Sequence, residues 1–190
     1  MADGPTTYLL VDGENIDATL GASILGHRPS PEERPRWDRL LSFVEERWGQ
    51  QTSGLFFLAV NGELPHAFVQ ALQAIGFRPV PLSGDAQEKV VDIAIQRTLD
   101  ALVDRPGDVV LVSHDGDFLP HLQPLLDGSR VTGRRVACVG FREFRNRGYA
   151  ALESEGVPFY DLEYDVKAFN IRLPRVRVIP IEEFDPLEFL

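Results

Sequence analysis

Short apolar runs recur along this chain, and most of them end abruptly at a glycine, a proline or a cluster of polar residues. Apolar runs of this length, bounded by turn residues, are typical of buried strands. On this pattern we predict strands at 7–11, 55–60, 77–82, 109–112, 135–140 and 157–160.

Between the apolar runs, hydrophobic residues recur every three or four positions, which is the spacing of one helix face. We predict helices at 16–25, 37–48, 65–75, 89–103, 118–126 and 149–155. Pro124 should kink or end its helix, because proline has no amide hydrogen and its ring clashes with the preceding turn. Strands that alternate with helices in this way predict an α/β fold, with a mostly parallel sheet and helices on both faces.

The pattern changes after Asp161. Residues 171–181 favour a strand in composition, but two prolines interrupt them, which suits an edge strand or an arm. The acidic and apolar residues that follow would either pack back on the domain or dock on a partner. We therefore predict a domain at 1–161 and a C-terminal extension at 162–190, which is an edge strand or an interaction arm for a homodimer or another protein partner.

Composition places the chain among ordinary globular proteins. Its 190 residues are 44% apolar and 25% charged, enough for one domain with a hydrophobic core. No apolar stretch reaches the roughly 18 residues that span a bilayer, and the N-terminus lacks the basic and apolar segments of a signal peptide. The single cysteine, Cys138, cannot form an internal disulfide. We therefore expect a cytoplasmic protein without a membrane partner.

The charge is unevenly distributed. A net charge of −10 argues against a protein that coats nucleic acid without selectivity. The stretch 128–150 nevertheless carries a single acid and six arginines, namely Arg130, Arg134, Arg135, Arg142, Arg145 and Arg147. This stretch is either a solvated basic face or the basic neighbour of a site that acts on phosphates.

Acidic residues follow two of the predicted strands. The stretch V-V-L-V-S-H-D-G-D-F (109–118) places Asp115 and Asp117 at a strand-to-helix turn, and Asp12 follows the first strand in V-D-G-E-N. Parallel strands end at one edge of the sheet, where open α/β sheets bind their ligands. Asp92 lies early in a predicted helix and can project over the same edge. We therefore expect the four carboxylates to form one site.

Clustered carboxylates repel one another unless a cation lies between them. Alone, an Asp-Gly pair is ordinary turn or cap chemistry, and Asp92 alone is a solvated helix acid. Together the four acids favour a site for a hard divalent cation, which can activate water and stabilise the departing oxygen in phosphodiester hydrolysis. Lys89 lies one helical turn before Asp92 and reaches the same rim. Asn15, Ser113 and His114 can add hydrogen bonds.

Three blocks of this sequence match a known family. V-D-G-E-N-I (11–16), K-V-V-D-I-A-I (89–95) and V-S-H-D-G-D-F (112–118) resemble, in order and spacing, the signature blocks of NYN-domain proteins. These proteins form the LabA-like, DUF88 branch of the PIN-like nuclease superfamily. The resemblance runs from about residue 6 to 160, and it implies a Rossmann-like three-layer α/β/α PIN fold and Mg²⁺- or Mn²⁺-dependent cleavage of RNA.

The resemblance also implies roles for individual residues. It places the metal-binding acids of the family on Asp12, Asp92, Asp115 and Asp117. Its first-block asparagine falls on Asn15 and its third-block serine on Ser113. His114 stands where the family often has a small residue.

We therefore predict a metal-dependent endoribonuclease. In this interpretation the four aspartates hold one or two Mg²⁺ or Mn²⁺ ions, and Lys89, Arg142 and Arg145 orient the RNA substrate. An alternative is a catalytically silent regulatory module that keeps the fold and binds RNA or a protein. The acidic tail and net charge favour this module, whereas the four intact acids disfavour it.

Other enzyme classes have less support. A phosphatase of the haloacid-dehalogenase type needs an aspartate two residues after its nucleophile, where this chain has Glu14, and no phosphate-binding lysine follows in the corresponding block. The phosphate loop of NTPases, the dinucleotide-binding fingerprint and the serine-hydrolase elbow have no match in the sequence.

Overall fold

Six parallel strands form the central sheet of the computed structural model, which describes residues 6–85, 88–127, 133–176 and 178–190. The strands are β1 (Thr6–Asp12), β2 (Gln51–Ala59), β3 (Phe77–Leu82), β4 (Asp108–Val112), β5 (Val136–Gly140) and β6 (Phe159–Asp161). Their order is β3-β2-β1-β4-β5-β6, and every neighbouring pair is parallel. The predicted α/β fold with a parallel sheet is confirmed. In this order the connections reverse direction between β1 and β4, which is where doubly wound sheets bind ligands.

The strand bounds differ from the predicted ones mainly in β2. This strand begins at Gln51, four residues before the predicted start, because its polar first half pairs in register with Thr6 to Leu9 of β1. Hydrogen bonding to a neighbouring strand does not need apolar side chains, so an apolar run shows only the buried half of such a strand. β4 and β5 are buried along their whole length, as continuous apolar runs predict.

Helices cover both faces of the sheet. They are α1 (Gly13–Ala18), α2 (Trp37–Trp48), α3 (His66–Ala74), α4 (Val90–Leu102), α5 (Leu119–Leu126) and α6 (Arg147–Ser154). The chain continues from α1 as a π-helix over Thr19–Leu25, which ends where Gly26 adopts a left-handed conformation with φ of 75°. The predicted helix 16–25 therefore exists, but it begins earlier and changes type. α5 ends two residues after Pro124.

The two faces of the sheet bury separate hydrophobic cores. Alternate residues of a strand point to opposite faces. In β4, Val110 and Val112 pack with α1, α2 and α3, whereas Val109 and Leu111 pack with α4, α5 and α6. Cys138 is buried in the second core. Within the described part of the chain, no helix is long and apolar enough to cross a membrane.

The first part of the C-terminal extension packs on the domain. Leu162, Val166, Phe169 and Leu173 are buried in the core that contains α1 and α2. The described residues after Asp161 contain no strand, so the extension does not add an edge strand to the sheet. Its last part exposes many apolar side chains, and the role of an interaction arm stays a prediction.

Candidate metal centre

The turn after β4 is built to hold two carboxylates at the sheet edge. Asp115 accepts a hydrogen bond from the Asp117 N–H at 2.9 Å, which caps the short helical turn Gly116–Phe118. The Tyr149 hydroxyl donates to the Asp115 carbonyl at 2.7 Å and ties this turn to α6. A side chain at Gly116 would collide with the Asn146 side chain, so glycine allows these two segments to approach closely.

Three carboxylates converge at this turn. One oxygen from each of Asp92, Asp115 and Asp117 lies within 4.8 Å of the other two, and we call this group the three-carboxylate cluster. The Lys89 ammonium nitrogen lies 3.4 Å from Asp92 and 3.6 Å from Asp117. Burial raises the pKa of Asp92, and the hydrogen bond from Lys89 opposes that shift. The same hydrogen bond raises the pKa of Lys89.

Asp12 lies deeper than the other acids, at the end of β1. It is 2% exposed, and its two oxygens accept hydrogen bonds from the Asn15 N–H at 3.2 Å and the Ser113 hydroxyl at 3.0 Å. Burial raises the pKa of Asp12 to about 7, although both hydrogen bonds lower it. A buried carboxyl with a pKa near neutrality readily releases its proton to water when a cation binds beside it, because the cation stabilises the carboxylate.

An open cavity of about 450 Å³ joins Asp12 to the cluster. Asp12, Asp92 and Asp115 line it together with Lys89 and Asn15. The predicted acids of the first and third blocks therefore do meet at one edge of the sheet. Asp117 is not among the residues that line the cavity; it lies at the cavity rim, where its side chain is 60% exposed.

The cavity also contains residues that the sequence analysis did not assign to the site. Glu14, Asn61 and Glu88 line its wall. Glu14 accepts a hydrogen bond from the Ala59 N–H at 3.0 Å, so it joins α1 to the end of β2. Glu14 lies two residues after Asp12, so the sequence could have indicated its place in the site. The loops that carry Asn61 and Glu88 have no sequence pattern that predicts their contact with the cavity.

Asn15 is held in one orientation. Its Oδ1 accepts hydrogen bonds from the backbone N–H of His114 and from His114 Nδ1, both at 2.9 Å. A backbone N–H can only donate, so the oxygen of the Asn15 amide must face His114. Asn15 can therefore offer only its Nδ2 hydrogens to a ligand in the cavity.

His114 supports the site by holding the Asn15 side chain. The Phe141 N–H donates to His114 Nε2 at 2.5 Å, so the neutral ring carries its proton on Nδ1 and donates it to Asn15. Burial lowers the pKa of His114 to about 4, which keeps the ring neutral. The side chain is buried, and both ring nitrogens bond within the protein. The structure gives His114 a supporting role, and its predicted contact with substrate stays a prediction.

Ser113 has a similar supporting role. Its hydroxyl is buried, donates to Asp12 and accepts a hydrogen bond from the Asp115 N–H at 3.2 Å. Ser113 therefore sets the spacing of the two acids that end β1 and β4. Its predicted contact with substrate stays a prediction.

Four arginines of the arginine-rich stretch bond to other parts of the protein and not to the acids of the site. Arg142 and Arg145 both form ion pairs with Glu153 and lie over the Phe159 ring. Arg134 donates to backbone carbonyls and Arg135 pairs with Asp108, both near the opposite end of the sheet. Arg130 lies outside the described residues. A role of Arg142 and Arg145 in binding RNA stays a prediction.

The fold and this edge of the sheet define a class of protein: a doubly wound, parallel α/β domain with an oxygen-rich acidic site at its switch point. A sequence model of the NYN domain matches residues 6–155. The chain therefore belongs to the NYN domain family, which is part of the PIN-like nuclease superfamily.

A solved structure has a similar fold. It is a protein of unknown function from Vibrio parahaemolyticus, with a TM-score of 0.65 and 16% sequence identity. The alignment covers 87% of this chain and 97% of the other. At this identity the similarity extends to the fold alone. A search of curated proteins found no matching relative.

Proposed function

We propose that this protein is an endoribonuclease that depends on Mg²⁺ or Mn²⁺. The observation that carries the proposal is the convergence of carboxylates from three separate segments, β1, α4 and the turn after β4, at one edge of an NYN domain. NYN domains are generally nucleases, which supports the reaction class. The choice of RNA as substrate, the metal and the placement in the LabA-like, DUF88 branch are part of the proposal.

The donor set fits a hard divalent cation. Asp12, Asp92, Asp115 and Asp117 offer only oxygen atoms, which Mg²⁺ and Mn²⁺ prefer. Opposite ligands of a Mg²⁺ ion lie about 4.2 Å apart, and the oxygens of the three-carboxylate cluster are already within 4.8 Å of one another. Small side-chain movements would therefore bring Asp92 and Asp115 to a common ion.

The residues around the acids have distinct tasks in this proposal. A bound divalent ion supplies an activated water and neutralises phosphate charge. Asn15 Nδ2 donates a hydrogen bond to a phosphate oxygen, because its Oδ1 is held by His114. Lys89 adds a positive charge at the rim, where its side chain is 69% exposed. Ser113 keeps Asp12 and the Asp115 turn in register.

Cleavage of labelled single-stranded RNA tests the proposal, with Mn²⁺, Mg²⁺ or EDTA present. We expect cleavage by the wild type with either metal, none with EDTA, and background levels in Asp115→Asn. Asp100→Asn is a matched control, since Asp100 lies on α4 two turns beyond Asp92 and its side chain is 57% exposed. This control should cleave RNA like the wild type.

Two outcomes would contradict the proposal. Equal cleavage by the wild type and Asp115→Asn would place the activity elsewhere. No cleavage by the wild type, together with retention of RNA in a gel-shift assay, would favour the catalytically silent module.

A further inference from the structure

The Lys89 ammonium group lies between two of the proposed metal ligands. Its nitrogen is 3.4 Å from Asp92 Oδ2 and 3.6 Å from Asp117 Oδ2, so it forms ion pairs with both. One positive charge is therefore already present at the edge of the three-carboxylate cluster, beside Asp92 and Asp117.

Asp92 faces two different places. On its inner side lies the cavity, which Asp12 and Asp115 also line. Its Oδ2 faces the ammonium group of Lys89, which also lines the cavity and lies between Asp92 and Asp117; the side chains of Lys89 and Asp117 are mostly exposed. We call these places the inner and outer positions. The inner position has a buried carboxyl and two further acids, whereas the outer position already holds an ammonium group.

The position of the Lys89 charge also favours a single divalent ion. The three-carboxylate cluster and Asp12 carry four negative charges when ionised, and one divalent ion with one ammonium group neutralises three of them. In two-metal sites the ions lie about 3.5–4 Å apart. A second divalent ion at the outer position would have to displace the ammonium group or lie within a few ångströms of it, where like charges repel strongly.

We propose that the Lys89 ammonium group takes the place of a second metal ion, so that the site binds one divalent ion at the inner position. The inference rests on the proposed metal-dependent function and names the number of ions that this function uses. Lys89 then supplies the outer positive charge that would face a phosphate of the substrate.

Counting bound Mn²⁺ ions tests this proposal directly. The full chain is titrated with Mn²⁺, and the free ion is measured by electron paramagnetic resonance. We expect one ion per chain in the wild type and in Lys89→Arg, which keeps the positive charge. Lys89→Gln removes the charge from an exposed side chain, and we expect it to bind two ions. The double variant Lys89→Gln/Asp117→Asn should return to one ion, because Asp117 is the outer ligand.

The result also separates this inference from the proposed function. Two ions in the wild type, or one ion in Lys89→Gln, would overturn the role of Lys89 and leave a metal-dependent site in place. No Mn²⁺ bound by any variant would overturn both. Circular dichroism of each variant checks that the fold is unchanged.

Discussion

At the scale of single residues, burial decides what each acid of the site can do. Asp12 and Asp117 are both aspartates in strand-end turns, yet Asp12 is 2% exposed and the Asp117 side chain is 60% exposed. Removing a carboxylate from water disfavours its charged form, which explains why burial raises the pKa of Asp12 to about 7. The buried acid is therefore the one whose protonation couples to folding and to metal binding.

This coupling predicts a pH-dependent effect of Asp12→Asn on stability without metal. The folded protein binds an extra proton at Asp12 between the ordinary pKa of 3.8 and about 7, so this group stabilises the fold at low pH and loses that contribution as the pH rises through the window. Asparagine does not titrate, so the variant lacks this pH-dependent loss of stability. The free energy of unfolding of the variant should therefore rise relative to that of the wild type between pH 4.5 and 7.5, by at most about 3 kcal/mol.

Denaturation by urea in the presence of EDTA measures this difference. The comparison with the wild type is needed because His114 acts in the opposite direction: its pKa is lowered to about 4, so its contribution to stability grows as the pH rises to 6.5. Asp38→Asn, at an exposed ion pair, controls for the loss of a carboxylate. A difference between Asp12→Asn and wild type that stays constant with pH would contradict the prediction.

At the scale of elements, the site depends on the turn that joins β4 to α5. Gly116 lies between the two acids of this turn, and its Cα faces the Asn146 side chain, which caps α6. The Asn146 N–H also donates to the His114 carbonyl at 3.2 Å. The geometry of the acids is therefore coupled to the start of α6.

We expect Gly116→Ala to weaken Mn²⁺ binding by about 10-fold, as changes next to metal ligands typically do. The added methyl group collides with Asn146, so either the acid turn or the α6 cap must move. Isothermal titration calorimetry with Mn²⁺ measures the loss of affinity. Asn146→Ala removes the colliding group at the cost of a helix cap, about 1 kcal/mol. The double variant should bind Mn²⁺ better than Gly116→Ala, and an additive loss would contradict the steric explanation.

At the scale of the whole molecule, the C-terminal extension reaches the site through a stack of side chains. Arg175 lies over the Phe141 ring, and Phe141 stacks on His114, which holds Asn15. The Arg175 side chain is 1% exposed and forms ion pairs with Asp161, Glu163 and Glu143. A residue outside the matched NYN region therefore supports the wall of the site.

Removal of this buried cation should strongly destabilise the fold. Arg175→Met leaves the buried carboxylate of Asp161 without its partner, and breaking a buried pair typically costs about 3–5 kcal/mol. Arg172→Met is a matched control three residues earlier, on an exposed side chain, and should change stability by less than about 0.5 kcal/mol. Urea denaturation of both variants measures the costs, and equal effects would contradict the role of Arg175.

The sequence by itself determined the order of strands and helices and the place of the acids. Short apolar runs and hydrophobic residues spaced every three or four positions distinguish buried strands from helices locally, and parallel strands end at one edge of the sheet. Asp12 and Asp115 were therefore predictable as neighbours, although about a hundred residues separate them along the chain. The family resemblance rested on the same local blocks.

Only the tertiary structure decided which atoms of these residues remain free for a ligand. Ser113 and His114 looked equivalent to Asn15 in the sequence, yet their polar atoms bond to Asp12 and Phe141, while Asn15 lines the cavity. Arg142 and Arg145 were expected beside RNA, and both pair with Glu153. Burial and hydrogen bonding arise from segments that are distant in the chain, so a local pattern places a residue at the site but does not determine what its side chain contacts.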